Sequence, residues 1–151
     1  MITIKHENIL NATENIIAHQ VNCLGKMGSG IALEIRKAYQ IVFYTYTALC
    51  RNEAYSDKLL GHCQIVNIGE DKWVANLFGQ YDISRSAKMT NERALVTALI
   101  YLRDKAAVHG YTIALPYGIG CGNGGGDWEY IYELIGKVFE NYQVTLYKYD
   151  C

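Results

Sequence analysis

Apolar and polar positions in this chain switch repeatedly between a period of two and a period near 3.6, which outlines alternating strands and helices. A short strand around Ile2 to Lys5 leads through Asn8-Ile9-Leu10-Asn11 to a second strand, Ile16 to Val21. Gly25, Gly28 and Gly30 then open a helix, because Ile31, Leu33, Ile35 and Ala38 recur among Glu34, Arg36 and Lys37; the pattern continues or restarts through Ile41 to Arg51. Strands at Cys63 to Ile68 and Trp73 to Phe78, separated by Gly69-Glu70-Asp71, read as a hairpin. Thr90 and Asn91 are candidate N-caps for a helix whose stripe runs Leu95, Leu99, Leu102 and Ala106 until Gly110 ends it. Tyr111 to Leu115 reads as a buried strand, Tyr117 to Gly126 as a glycine loop, Asp127 to Glu140 as a helix and Gln143 to Tyr149 as a final alternating strand. This order predicts an α/β fold with a mixed sheet between two helical layers.

Composition narrows the function classes. A chain of 151 residues, 50% hydrophobic, suits one domain spanning 1–151 with a core of its own. Fourteen basic residues against 15 acidic ones, without a run of either sign, argue against a nucleic-acid polymer as the primary ligand. Five cysteines, Cys23, Cys50, Cys63, Cys121 and Cys151, are odd in number and form no C-x-x-C pair, which speaks against a disulfide framework and a zinc site. Reduced thiols fit a cytoplasmic setting. The opening Met1 to Glu7 alternates apolar and polar residues, unlike a signal sequence or membrane span.

Nine of the 14 glycines lie in two short segments, Gly25 to Gly30 and Gly118 to Gly126, each joining the carboxyl end of a strand to the start of a helix. That edge of an open α/β sheet is where ligands bind. Glycine there lets several backbone N–H groups converge on one anion beside a helix N-terminus, so the expected ligand carries phosphate. Neither loop fits the nucleotide-triphosphate signature or G-x-G-x-x-G with an acidic residue about 20 positions on.

The loops bring few functional groups with them. The Asn22 amide suits ribose hydroxyls. His19 shares a strand face with Val21 and reads either as a satisfied core residue or as a proton donor or acceptor near neutral pH. Asp127, directly after Gly124-Gly125-Gly126, is either a helix N-cap or a catalytic acid or base. Cys23 and Cys121 lie in or beside the loops without a visible base partner, so neither is the nucleophile. Tyr81 to Lys88, polar and turn-like, is a candidate flap.

The run from Val21 to Ala32, Val-Asn-Cys-Leu-Gly-Lys-Met-Gly-Ser-Gly-Ile-Ala, resembles the first signature of the macrodomain family. Pro116-Tyr117-Gly118-Ile119-Gly120-Cys121-Gly122, followed by Gly126-Asp127-Trp128, resembles the second. The likeness follows the element order of the whole chain. It is nearest to the branch holding the yeast-type ADP-ribose 1''-phosphate phosphatases, the terminal ADP-ribose protein glycohydrolase and the antitoxin macrodomains that strip ADP-ribose from DNA. It implies a three-layer α/β/α fold with a central mixed sheet and ADP-ribose or a derivative as a small-molecule ligand, without cofactor or metal; the oligomeric state is open, and a monomer is compatible with the sequence.

Carried over residue by residue, the resemblance implies that Asn22 contacts the distal ribose. Gly28, Ser29, Gly30 and Ile31 would embrace the diphosphate together with Gly118, Ile119, Gly120, Cys121 and Gly122, and Asn8 with Ile9 would meet the adenine. His19 falls where phosphatase-type members have a catalytic histidine. Three departures matter. Asn8 replaces the family's adenine-reading aspartate, and Gly124 stands where the protein glycohydrolase has a catalytic aspartate. That enzyme's lysine nucleophile would fall within Gly79 to Lys88, where Lys88 is the lysine available, which disfavours a covalent lysine mechanism. The resemblance therefore implies a hydrolase acting at the distal ribose, foremost on ADP-ribose 1''-phosphate, with His19 as general acid or base and an inward-pointing Asp127 as its partner or as the group that positions water. The alternatives are a reader or sequestering module and a hydrolase that frees ADP-ribose from a protein or nucleic-acid conjugate.

Overall fold

The computed structural model describes residues 1–83, 87–122 and 124–149; of the candidate flap, 84–86 lie outside the described residues. Strand β1 (Ile2–Lys5), a 3-10 turn (Ile9–Asn11) and β2 (Ile16–Val21) lead to helices α1 (Gly30–Ala38) and α2 (Gln40–Arg51). There follow β3 (Cys63–Gly69), β4 (Lys72–Phe78), α3 (Glu92–His109), β5 (Ile113–Pro116), α4 (Trp128–Val138) and β6 (Val144–Tyr147). The strands form a six-stranded sheet in the order β1-β6-β5-β2-β4-β3. All neighbours are parallel except β3 and β4, the expected hairpin, so the sheet is mixed.

Period-two alternation assigns each side of the sheet its own core. Ile16 and Ala18 of β2 face Leu95, Leu99 and Leu102 of α3 and Ile131 and Ile135 of α4. Ile17 and Val21 face the other way, onto Ile35 of α1 and Val42 and Tyr46 of α2. The three expected α/β/α layers result. Fully burying such an aliphatic side chain is worth roughly 1.5–3 kcal/mol, so both helical layers are held chiefly by their apolar faces.

Element ends follow local chemistry. α1 and α2 share Tyr39, whose non-helical backbone (φ −137°, ψ 81°) separates them, so the helical pattern restarts rather than continues. Asn91 caps α3 by accepting from the Ala94 N–H, and Gly110 ends it in the left-handed region at φ 70°. β5 begins at Ile113 rather than Tyr111, because Thr112 is engaged with Asn15, its N–H donating to Asn15 Oδ1 at 3.0 Å and its Oγ1 accepting from the Asn15 N–H at 2.9 Å.

The topology sets the position of the site. From β2 the chain crosses through α1 and α2 toward β3 and β4 on one side; from β5, the strand beside β2, it crosses through α4 toward β6 on the other. The two connections diverge, leaving a crevice beyond the carboxyl ends of β2 and β5. Both glycine loops leave from those ends.

Candidate functional site

The first loop is shaped by its own first side chain. Asn22 Oδ1 accepts from the Leu24 N–H at 3.0 Å, the Lys26 N–H at 3.2 Å and the Tyr46 hydroxyl at 2.8 Å, while Nδ2 donates to the Lys26 carbonyl at 2.7 Å. The Tyr46 hydroxyl also lies 2.7 Å from the Asn22 carbonyl, so α2 buttresses the loop from below. Burial foremost pushes the Tyr46 phenol well above its usual range, leaving it a proton donor at any ordinary pH. Gly25 turns the chain at φ 79°, and the Cys23 N–H donates to the Tyr81 carbonyl at 2.9 Å, which ties the loop to the segment after β4.

The second loop closes on itself and rests on β2 and the chain before α3. Gly118 and Gly120 adopt φ 82° and 79°, the Gly126 N–H donates to the Gly120 carbonyl at 2.9 Å, and Thr90 Oγ1 donates to that carbonyl at 2.6 Å. Gln20 Nε2 donates to Thr90 Oγ1 at 2.9 Å and to Gln80 Oε1 at 2.8 Å. The glycines here do two different jobs. A Cβ at Gly124 would collide with the Thr90 hydroxyl and come within 2.7 Å of the Gly120 carbonyl, so the position where the resemblance would have a carboxylate has no room for one. A Cβ at Gly28, Gly118 or Gly122 would meet nothing within 4 Å, so these three front open space.

Between the loops lies a cleft of about 870 Å³, within the range of small-molecule sites. Gly28, Ser29, Gly30 and Ile31 line it from one side and Gly118, Ile119, Gly120 and Gly122 from the other, with Asn22 and His19 at its base. Its charged lining residues are Lys26 and Arg36, and no Asp or Glu is among the described residues that line it. The Arg36 guanidinium carbon sits 3.9 Å from the Phe43 ring centroid, which braces that cation. A cleft with cations, converging backbone and no carboxylate favours an anionic occupant.

His19 is 2% exposed, and its Nε2 lies 2.7 Å from Asn76 Oδ1 of the neighbouring β4. Burial pulls the imidazole down to about 4, against a partial lift from the Asn76 bond, so the ring is neutral at pH 7. Its Nδ1 has no hydrogen-bond partner among the described residues. Burial foremost pushes the thiols of Cys23 and Cys121 up to about 11, which keeps both protonated near neutral pH.

Other candidates stand elsewhere. Asp127 is exposed, is not among the residues lining the cleft, and its carboxylate accepts from the Glu129 N–H at 3.1 Å. Of its two open roles, the helix cap is the one it performs here. Asn8 caps the 3-10 turn by accepting from the Leu10 N–H at 3.0 Å, and Ile9 is buried in the core; neither lines the cleft, and neither does Cys121. Lys88 is paired with Glu92 and also stands outside the lining. Sequence reasoning passed over Tyr46, Gln20, Arg36, Phe43 and Asn76. Each reaches the site through a strand pairing or helix docking that leaves no local signal.

No family model matches the chain. It is 26% identical over 144 residues to the DNA ADP-ribosyl glycohydrolase of Mycobacterium tuberculosis, covering 93% of this chain and 39% of that relative, so it spans about two fifths of the curated protein's length. Among solved structures it superposes on the macrodomain of Mycobacterium tuberculosis DarG with a TM-score of 0.81 at 26% identity, covering 100% of this chain and 98% of that one. It superposes on a macrodomain protein from Streptomyces coelicolor with a TM-score of 0.82 at 28% identity, covering 100% and 99%.

Proposed function

Since this chain has the macrodomain fold, we propose that it binds the ADP-ribosyl group in the cleft between its two glycine loops and hydrolyses the bond that joins the distal ribose to its conjugate. The observation that carries this reading is the cleft itself: two backbone-lined loops facing each other at the divergence of β2 and β5, with Lys26 and Arg36 as its charged lining and no carboxylate among the described lining residues. The diphosphate sits between the loops, where N–H groups and the start of α1 offset its charge without side-chain reorganisation. Similarity to a relative named for ADP-ribosyl glycohydrolysis supports the reaction class.

The chemistry is substitution by water at the anomeric carbon. A carbon–oxygen bond to water forms, the bond to the leaving group breaks, and the water proton passes to solvent while the leaving group takes one from solvent. A neutral imidazole lining the cleft is the group suited to hold the distal ribose in the reactive geometry, with position rather than basicity as its main contribution. Lys88, paired with Glu92 outside the cleft lining, takes no part as a nucleophile. A second reading, phosphate release from ADP-ribose 1''-phosphate, is favoured by one feature, a histidine at the position of His19.

The test is a calorimetric titration with ADP-ribose, followed by product analysis on an ADP-ribosylated DNA oligonucleotide, an ADP-ribosylated protein and ADP-ribose 1''-phosphate. Free ADP-ribose from either conjugate, lost in His19→Ala, is the expected result. Phosphate release alone transfers the assignment to the second reading. Binding without any turnover makes the chain a reader, and absence of binding removes the proposal.

A further inference from the structure

The ring nitrogens of His19 are not equivalent, and the difference is written in residues far from the cleft in sequence. A backbone carbonyl can only accept, so the 3.2 Å contact between the Thr45 carbonyl of α2 and Gln64 Nε2 of β3 fixes which end of the Gln64 amide is the donor. Gln64 Oε1 is then an acceptor, and it receives Asn76 Nδ2 at 3.0 Å. Asn76 Oδ1 is in turn an acceptor, and it faces His19 Nε2 at 2.7 Å. Asn76 is 0% exposed, and the register of the sheet sets it directly beside His19, with Gln64 directly beside Asn76. The amide orientations, open in isolation, are settled by this chain of donors and acceptors ending on Thr45.

We infer that Asn76 and Gln64 are positioning residues that hold His19 in its Nε2-protonated tautomer, so that Nδ1, covered in the free chain, is a fixed hydrogen-bond acceptor for a hydroxyl of the bound distal ribose. Burial makes the neutral ring the resident form, and the Thr45–Gln64–Asn76 chain selects which neutral ring it is. Nδ1 is covered from solvent and has no partner of its own among the described residues, so its satisfaction requires a donor; His19 belongs to the lining of the cleft, and a ligand hydroxyl reaches Nδ1 by displacing what covers it. A ligand offering a hydroxyl there gains a hydrogen bond; one offering another acceptor meets repulsion. The ribose part of this assignment rests on the proposed binding of ADP-ribose, whereas the tautomer belongs to the free protein.

Imidazole nitrogen NMR on the nitrogen-15-labelled chain separates the two. In the free protein near neutral pH, His19 is expected to show a protonated Nε2 and an unprotonated Nδ1. Gln64→Leu, at a half-buried position, frees the Asn76 amide to present its NH₂ to the ring, and Asn76→Leu removes the partner outright; both are expected to yield a mixture of tautomers or the Nδ1-protonated form. Saturating ADP-ribose is expected to shift the wild-type Nδ1 resonance in the direction of hydrogen-bond acceptance, and ADP, which lacks the distal ribose, is not. Gln64→Leu should weaken ADP-ribose by about fivefold, the worth of one net hydrogen bond, with ADP affinity unchanged. An Nδ1-protonated ring in the wild type, or a tautomer unmoved in a folded Gln64→Leu protein, overturns the positioning role. An Nδ1 resonance unmoved in the ADP-ribose complex overturns the acceptor role. Failure of ADP-ribose to bind at all sinks the proposed function and leaves the tautomer measurement to decide the positioning role.

Discussion

Gly28 and Gly124 belong to similar loops, yet the structure assigns their missing side chains opposite consequences. Gly28 does not adopt positive φ, and an added Cβ meets nothing within 4 Å, so Gly28→Ala fits the folded chain without strain. Reduced freedom in the unfolded state then leaves stability unchanged or raised by roughly 0.4–1 kcal/mol. In the complex, however, the methyl occupies space the diphosphate needs beside the backbone. Losing one charge-assisted N–H···phosphate bond, about 1.5–3 kcal/mol, lowers ADP-ribose affinity about ten- to a hundredfold. At Gly124 the methyl meets the Thr90 hydroxyl, the Gly120 carbonyl at 2.7 Å and Gln20 Nε2 at 3.0 Å, all three parts of the network under the loop. Overpacking of that kind costs about 1–3 kcal/mol, or a Tm lower by roughly 2–10 °C. The assay is a thermal melt of each variant alongside calorimetric titration with ADP-ribose. If Gly28→Ala binds as tightly as the parent, or melts as early as Gly124→Ala, the division of labour among the glycines is wrong.

Three further outcomes follow from the site. His19 is held at about 4 in the folded chain against 6.5 for an ordinary imidazole, so as pH falls through that interval the unfolded state takes up a proton that the folded state refuses. Stability from His19 is complete above about pH 6.5 and declines by about 3 kcal/mol toward pH 4; denaturant titrations of the parent and His19→Gln across that range should diverge by this slope, His62 adding a change of the same sign to both. Arg36→Met removes a cation of the cleft while keeping apolar packing near Phe43, and should weaken ADP-ribose by up to about fivefold at low salt, with a shallower salt dependence seen by calorimetry. Lys88→Met should leave turnover within about twofold, since Lys88 is spent on Glu92; loss of activity with the fold intact would restore a lysine mechanism.

Much of the fold is legible because its signals are local. Asn91 and Gly110 mark both ends of α3, Gly69-Glu70-Asp71 marks the hairpin, and period-two strands alternate with helical stripes in the order the sheet requires. The break at Tyr39 is less legible, since both helices keep one apolar face across it. The glycine loops announce the cleft, because few other duties call for so many glycines at one sheet edge. Asp127 is ambiguous in sequence for a physical reason: a carboxylate beside a glycine loop and a helix start reads equally as a cap or as a catalyst, and only the fold shows its bond to the Glu129 N–H and its place outside the cleft lining. The support beneath His19 is illegible for another reason. Asn76 and Gln64 lie 57 and 45 positions from it along the chain and meet it through strand register alone.

Whether this cleft holds an ADP-ribosyl group and releases it can be decided in one preparation. Calorimetric titration of the purified chain with ADP-ribose, coupled to chromatography of products from an ADP-ribosylated oligonucleotide and protein, measures both. Saturable one-to-one binding near the micromolar range, with free ADP-ribose appearing from a conjugate and vanishing in His19→Ala, is the predicted result. No heat with ADP-ribose, and no competition by it against other nucleotides, would contradict the account at its centre.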